Sequence, residues 1–232
     1  MKKTFLLLVI IFTFSCTKKE PDLIVTGNIK GLKKGTLYLQ KLKDTVLVTL
    51  DSLEIIGELQ FELHSDLDEP EVLYLTLDKN SSNIHRISFF ANKGITEINT
   101  TLKRFAYDAK IKGSAQQELY KEYSGIISKF NNQQLDLIKS RFEAQQSGND
   151  SLIEAANFDA DNLIKRKYLY TVNFALNNID SEVAPYVTLA EIYDANIKYL
   201  DTIYNSLPKD IANSKYGKAL NTHIKKRKEE DN

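Results

Sequence analysis

The sequence predicts an α+β chain: an N-terminal antiparallel β-sandwich or half-barrel followed by an α-helical bundle. Three observations predict it. Apolar residues recur at every second position from Leu23 to about Lys112. Turn-forming residues interrupt that alternation at short intervals. From Ser114 onward the apolar period becomes that of a helix. The expected organisation is a signal segment over 1–15, a tether over 16–22, a β-rich domain over 23–113, and a helical region with a charged tail over 114–232.

The first segment, "MKKTFLLLVIIFTFSC", has a positive end at Lys2 and Lys3, an apolar run from Phe5 to Phe14, and Ser15 directly before Cys16. That is a secretory signal pattern. As a helix the run would span ~15 Å, half of a ~30 Å hydrocarbon core, so a permanent transmembrane helix is not expected. The stretch resembles a bacterial lipoprotein signal. The resemblance implies a diacylglyceryl thioether on Cys16, which becomes the first residue of the mature chain. It places the protein in the cell envelope, lipid-anchored to the outer membrane on its periplasmic face or surface-exposed. One acyl chain binds a membrane marginally, whereas several on one residue make release negligible. "TKKEPDL", Thr17 to Leu23, is polar and contains Pro21, as expected of a short flexible leash.

Eight strands follow. In "ELQFELH", Leu59, Phe61 and Leu63 alternate with Glu58, Gln60 and Glu62. Val46, Val48 and Leu50 share a face in "TVLVTLD", as do Leu73, Leu75 and Leu77 in "EVLYLTLD". "TLYLQKL", "HRISFFA", "ITEINTTL" and "YDAKIKG" continue the pattern. Turns are expected at Gly31 to Gly35, Gly57, Asp68 to Pro70, Lys79 to Asn83 and Asn92 to Gly94. One-faced alternation with short connections predicts antiparallel pairing. "GNIKGLKKG" carries three glycines but lacks the Gly-Lys-Ser/Thr end of a phosphate loop, and no helix pattern follows it, so it reads as a turn.

The first helix carries Leu119, Tyr123, Ile126, Ile127, Phe130 and Ile138 largely on one side. Ser114 and Gln117 have the spacing of a capping box. "SGND", Ser147 to Asp150, breaks the helix. The second has Leu152, Ala156, Leu163, Tyr168, Val172, Ala175 and Ile179 on its apolar side. Ser181 is placed to cap a third helix entered through Pro185. "NIKYLDTIYNSL" forms a fourth, stopped by Pro208, and "SKYGKALNTHIKKRKEEDN" a last helix fraying into its charged end.

Composition excludes several classes. The chain has 31 basic and 31 acidic residues, so net charge gives no reason to expect nucleic acid. A hydrophobic share of 42% is that of a globular protein, not a disordered one. A single cysteine allows no internal disulfide.

Candidate chemistry is sparse, and no catalytic, cofactor or metal residue is assigned. His64, His85 and His223 show no metal-ligand spacing and read as solvated or structural. Neighbouring acids such as Asp159 with Asp161, or Glu229 with Glu230, do not face each other on a helix. The run Lys225 to Lys228 complements a helix C-terminus. Seven of the twelve tyrosines lie between Tyr168 and Tyr216, where they fit helix packing or a ligand groove. The expectation is a non-catalytic binding or accessory module whose one assigned site is the lipidation residue Cys16.

"VTGNIKGLKKGTLYLQKL", "LDSLEIIGELQFEL", "EVLYLTLD", "ISFFANKGITEI" and "AKIKGSAQQELYKEY" together resemble the domain of unknown function family 4369. "SEVAPYVTLAEI" and "NSKYGKAL" are similar to the helical part that accompanies it. The resemblance implies lipid-anchored or periplasmic proteins of the Bacteroidetes group, in which this domain commonly precedes a thioredoxin-like thiol–disulfide oxidoreductase domain with a CxxC site. This chain contains no CxxC. The alternative that the resemblance implies is an accessory or truncated partner of a thioredoxin-like envelope oxidoreductase, and no redox residue carries over.

Overall fold

The computed structural model describes residues 20–58, 60–78 and 85–230. The signal segment, Cys16, most of the tether, Leu59 and the expected 79–83 turn lie outside them.

Among the described residues there are eight strands. They are β1 (Leu23–Lys30), β2 (Lys34–Lys43), β3 (Val46–Ile56), β4 (Phe61–Ser65), β5 (Glu71–Asp78), β6 (His85–Ala91), β7 (Gly94–Thr101) and β8 (Lys110–Lys112). They form two four-stranded sheets, ordered β4-β1-β7-β8 and β3-β2-β5-β6. Leu23, Val25, Leu37, Leu39, Leu63, Leu73, Leu75, Leu77 and Phe89 fill the space between the sheets, so this is the expected sandwich. One pairing departs from the antiparallel expectation: β1 and β7 run parallel, from Leu23 opposite Gly94 to Lys30 opposite Thr101. Short connections constrain only consecutive strands, and these two are joined through the other sheet. At their closest approach, a Cβ on Gly27 would stand 1.8 Å from the Ile98 carbonyl oxygen, so no larger residue fits.

Asp22, assigned to the tether, belongs to the folded body. It accepts the Leu67 and Gly94 N–H groups at 3.2 and 2.8 Å and lies 3.2 Å from Lys93 Nζ. A polar residue beside proline reads as linker until its acceptor role is seen. Val46 and Val48 do share a face, but that face is exposed.

Six helices follow: α1 (Ala115–Ser147), α2 (Asp150–Asn177), α3 (Val183–Glu191), α4 (Ile197–Ser206), α5 (Lys209–Ala212) and α6 (Lys215–Glu230). Ser114 Oγ accepts the Gln117 N–H at 3.2 Å, which is half of the expected capping box. The Gln117 side chain does not complete it: its Oε1 accepts the Phe90 N–H of β6 at 2.7 Å. Gly148, in the left-handed conformation at φ 64°, ends α1, and Asn149 caps α2. Ile179 falls beyond the end of α2. Ser181 Oγ accepts the Val183 N–H at 3.2 Å at the entry to α3. The one-turn α5 was not expected. The charged C-terminal stretch remains helical to Glu230, with Lys228 Nζ 2.8 Å from Asp201.

The helices add a third layer. Val72 and Phe90, on the outer face of β5 and β6, pack against Tyr123, Ile127, Phe174, Val183 and Val187. Strand β5 is thus covered on both faces. A separate apolar core joins α2, α4 and α6 through Val172, Ala175, Leu200, Ile203, Leu220 and Ile224.

Candidate functional site

The third layer leaves a cleft of about 240 Å³ between β6, α1 and α3. Phe90, itself fully buried, packs against two of the rings that line it, Tyr120 and Tyr186. The Tyr120, Tyr186 and Tyr216 rings stand 6.0, 5.7 and 6.0 Å from the Phe90 ring, centroid to centroid. Ser88 enters from β6, Tyr120, Tyr123, Ser124 and Ser128 from α1, and Tyr186 from α3. The turn-to-turn spacing of Tyr120, Ser124 and Ser128 aligns them on one side of α1. Glu191 stands at one end and is paired with Lys167 at 2.7 Å.

The phenols are held by the fold. The Tyr123 hydroxyl and Thr171 Oγ1 are 2.8 Å apart, and the Tyr216 hydroxyl accepts the Val72 N–H at 2.9 Å. Burial pushes the Tyr123, Tyr186 and Tyr216 phenols far above the ordinary tyrosine value. The Thr171 and Val72 hydrogen bonds oppose that shift only in part at Tyr123 and Tyr216. Burial also raises Tyr74, aided by Tyr120 and opposed by Arg86. Tyr123 and Tyr186, the two of these that line the cleft, are therefore neutral hydrogen-bonding groups, suited to orienting a ligand rather than to abstracting a proton.

Strand β6 is an edge strand, and its backbone adds a second kind of binding group. The Phe90 N–H points away from β5, toward Gln117. By the two-residue period, the backbone groups of Arg86 and Ser88 point the same way.

Residues 23–120 match the family described as Domain of unknown function (DUF4369). That match takes in the whole β-sandwich. Among curated proteins, none matches the chain. The DUF4369 match extends past the sandwich into α1, so Ser114, Gln117 and Tyr120 fall within it. Tyr123, Ser124 and Tyr186 lie beyond it, and the cleft is shared between the domain and the helices that follow.

The structure scatters the other candidates. His64 lies 2.9 Å from Glu62, His85 packs edge-on to Phe105, and His223 Nε2 lies 2.7 Å from the Tyr193 carbonyl. Among the described residues, no group of three or more His, Cys, Asp or Glu is placed to hold a metal. Asp159 and Asp161 are exposed on α2. In the basic run, Arg227 donates to the Tyr193 carbonyl and Lys228 to Asp201. Of the seven tyrosines from Tyr168 to Tyr216, only Tyr186 lines the cleft, while Tyr170 and Tyr216 pack behind it. The sequence window missed Tyr120 and Tyr123. Their three-residue spacing on α1, followed by Ser124 and Ser128, is the signal that would have found them.

Proposed function

We propose that this protein is a non-catalytic binding module of the cell envelope, moored to the outer membrane through lipid on Cys16. The cleft on the outer face of β6 is its recognition site. The observation that carries the reading is the pair of neutral, buried phenols that line it, Tyr123 and Tyr186. Together with Ser88, Ser124 and Ser128 they offer donors and acceptors converging from β6, α1 and α3, which is how small polar molecules and peptide segments are oriented. Among the described residues, no helix is long and apolar enough to cross a membrane. The membrane attachment is therefore assigned to the signal pattern and Cys16.

A photo-crosslinking residue in place of Ser128, in the full chain in native membranes, tests the site. A species captured there and lost on Ser88→Tyr, which fills the cleft, is the expected result. Capture of a thioredoxin-like protein would make the module an accessory of thiol–disulfide chemistry. Turnover of an ester, phosphate or glycoside substrate, abolished by one side-chain change, would overturn the reading.

A further inference from the structure

The hairpin of α1 and α2 leaves one long side uncovered, and that side has the spacing of a helix–helix seam. On α1 the row is Asn131, Leu135, Ile138 and Phe142; on α2 it is Ile153, Asn157, Ala160 and Ile164. Both advance by four, three and four residues, the alternation that keeps a row facing a neighbouring helix. The rows lie on the same side of the hairpin. Ile138 and Ile164 line one groove of about 190 Å³, with Arg141, Ala160, Leu163 and Lys167. Leu135, Ile138, Phe142 and Ile164 are 64, 58, 59 and 44% exposed. Contiguous apolar exposure of this kind marks an interaction surface.

We propose that this face binds the same face of a second copy, so that two hairpins form a four-helix bundle with their tips pointing the same way. Charge selects this occupant and this arrangement. Lys139, 3.9 Å from Glu143 of its own helix, flanks the α1 row, and Glu154 and Asp161, the latter one turn from Lys165, flank the α2 row; all five are exposed. A two-fold axis along the hairpin sets α1 of one copy against α2 of the other, antiparallel, and preserves height along the bundle. Within one hairpin Tyr123 meets Phe174 and Phe130 meets Arg166. Counting toward the tip, Lys139 lies level with the stretch between Glu154 and Asp161. Across the axis, the Lys139 ammonium of each copy therefore faces the two carboxylates of the other. The alternative two-fold, with tips opposed, sets α2 against α2 and brings Glu154 and Asp161 of one copy against those of the other. Like charges disfavour it. The uncovered part of the hairpin is ~25 Å long and ~20 Å wide, about 500 Å² per copy. The pair reaches the ~1,000 Å² of a specific interface.

Light scattering and sedimentation on the full chain carrying Cys16→Ala test the proposal, because that change removes lipid-driven association. A dimer is expected. Ile138→Asp combined with Phe142→Asp should give a monomer with unchanged helical circular dichroism. Phe158→Asp, on another side of α2, should leave the dimer intact. Lys139→Glu should raise the dissociation constant about fivefold, and adding Glu154→Lys and Asp161→Lys should restore it. A monomer at every concentration, a dimer that survives the double aspartate variant, or charge reversals that fail to compensate would each overturn it. So would binding of the face to anionic lipid vesicles in place of a second copy.

Discussion

Gly217 has no room for a methyl group. A Cβ there would stand 2.1 Å from the Ile211 carbonyl oxygen and 2.7 Å from that of Ala212, both fixed backbone atoms. Gly217→Ala is expected to cost about 1–3 kcal/mol, read as a lowered thermal midpoint. Gly125→Ala, with nothing within 4 Å, should instead stabilise α1 by roughly 0.5–1 kcal/mol. Gln117 is 2% exposed and satisfies a backbone donor of β6. Gln117→Leu leaves the Phe90 N–H unpaired and should cost about 1–3 kcal/mol in a denaturant titration. The tyrosines set an alkaline limit. Below pH 10 their phenols are protonated in both folded and unfolded chains, so their contribution is fully present. Above pH 10 the unfolded chain releases these protons first and binds fewer of them, so stability falls as pH rises. Tyr168, whose phenol burial and Asp194 push up to about 12, adds to the loss up to that pH. Tyrosinate absorbance and loss of helical circular dichroism should therefore rise together. Phenols that titrated at their ordinary value with the helices intact would contradict this.

Element by element, what was legible depended on whether the signal was local. The break between α1 and α2 was readable because Gly148 and Asn149 are end signals in themselves. Gly148→Ala is expected to cost about 1 kcal/mol, since alanine resists the left-handed conformation that caps α1. A host chain melted with and without the change would measure it. Gln117 was readable only as a capping-box partner, because its bond to Phe90 joins residues 27 positions apart. The strands announced their existence through alternation, but not their partners. The pattern of β1 is the same whether its neighbour runs parallel or antiparallel. Nor did alternation reveal which face of β3 stays exposed, or that the second face of β5 is covered by helices. The cleft was harder still, since Ser88, Tyr120 and Tyr186 come from three elements and meet only in the third layer.

At the scale of the molecule, the sandwich and the helical layer are tied where β5 meets α6: Tyr216 accepts from Val72, and Lys215 pairs with Glu71. Cys16→Ala is expected to shift the protein from the membrane to the soluble fraction; a variant that stayed fully membrane-bound would refute the mooring. In the proposed mooring, only the residues between Cys16 and Asp22 would separate anchor from body, a reach of ~20 Å. The placement of β1 then acquires a mechanical meaning. Drag on a moored body enters through the N-terminal end of β1, an inner strand bonded to β4 on one side and β7 on the other. Pulled lengthwise, it cannot peel away rung by rung. Its parallel register with β7, from Leu23 to Lys30, and its antiparallel register with β4, from Leu23 to Gly27, are loaded together in shear. The strand that begins the fold is also placed to carry its tension.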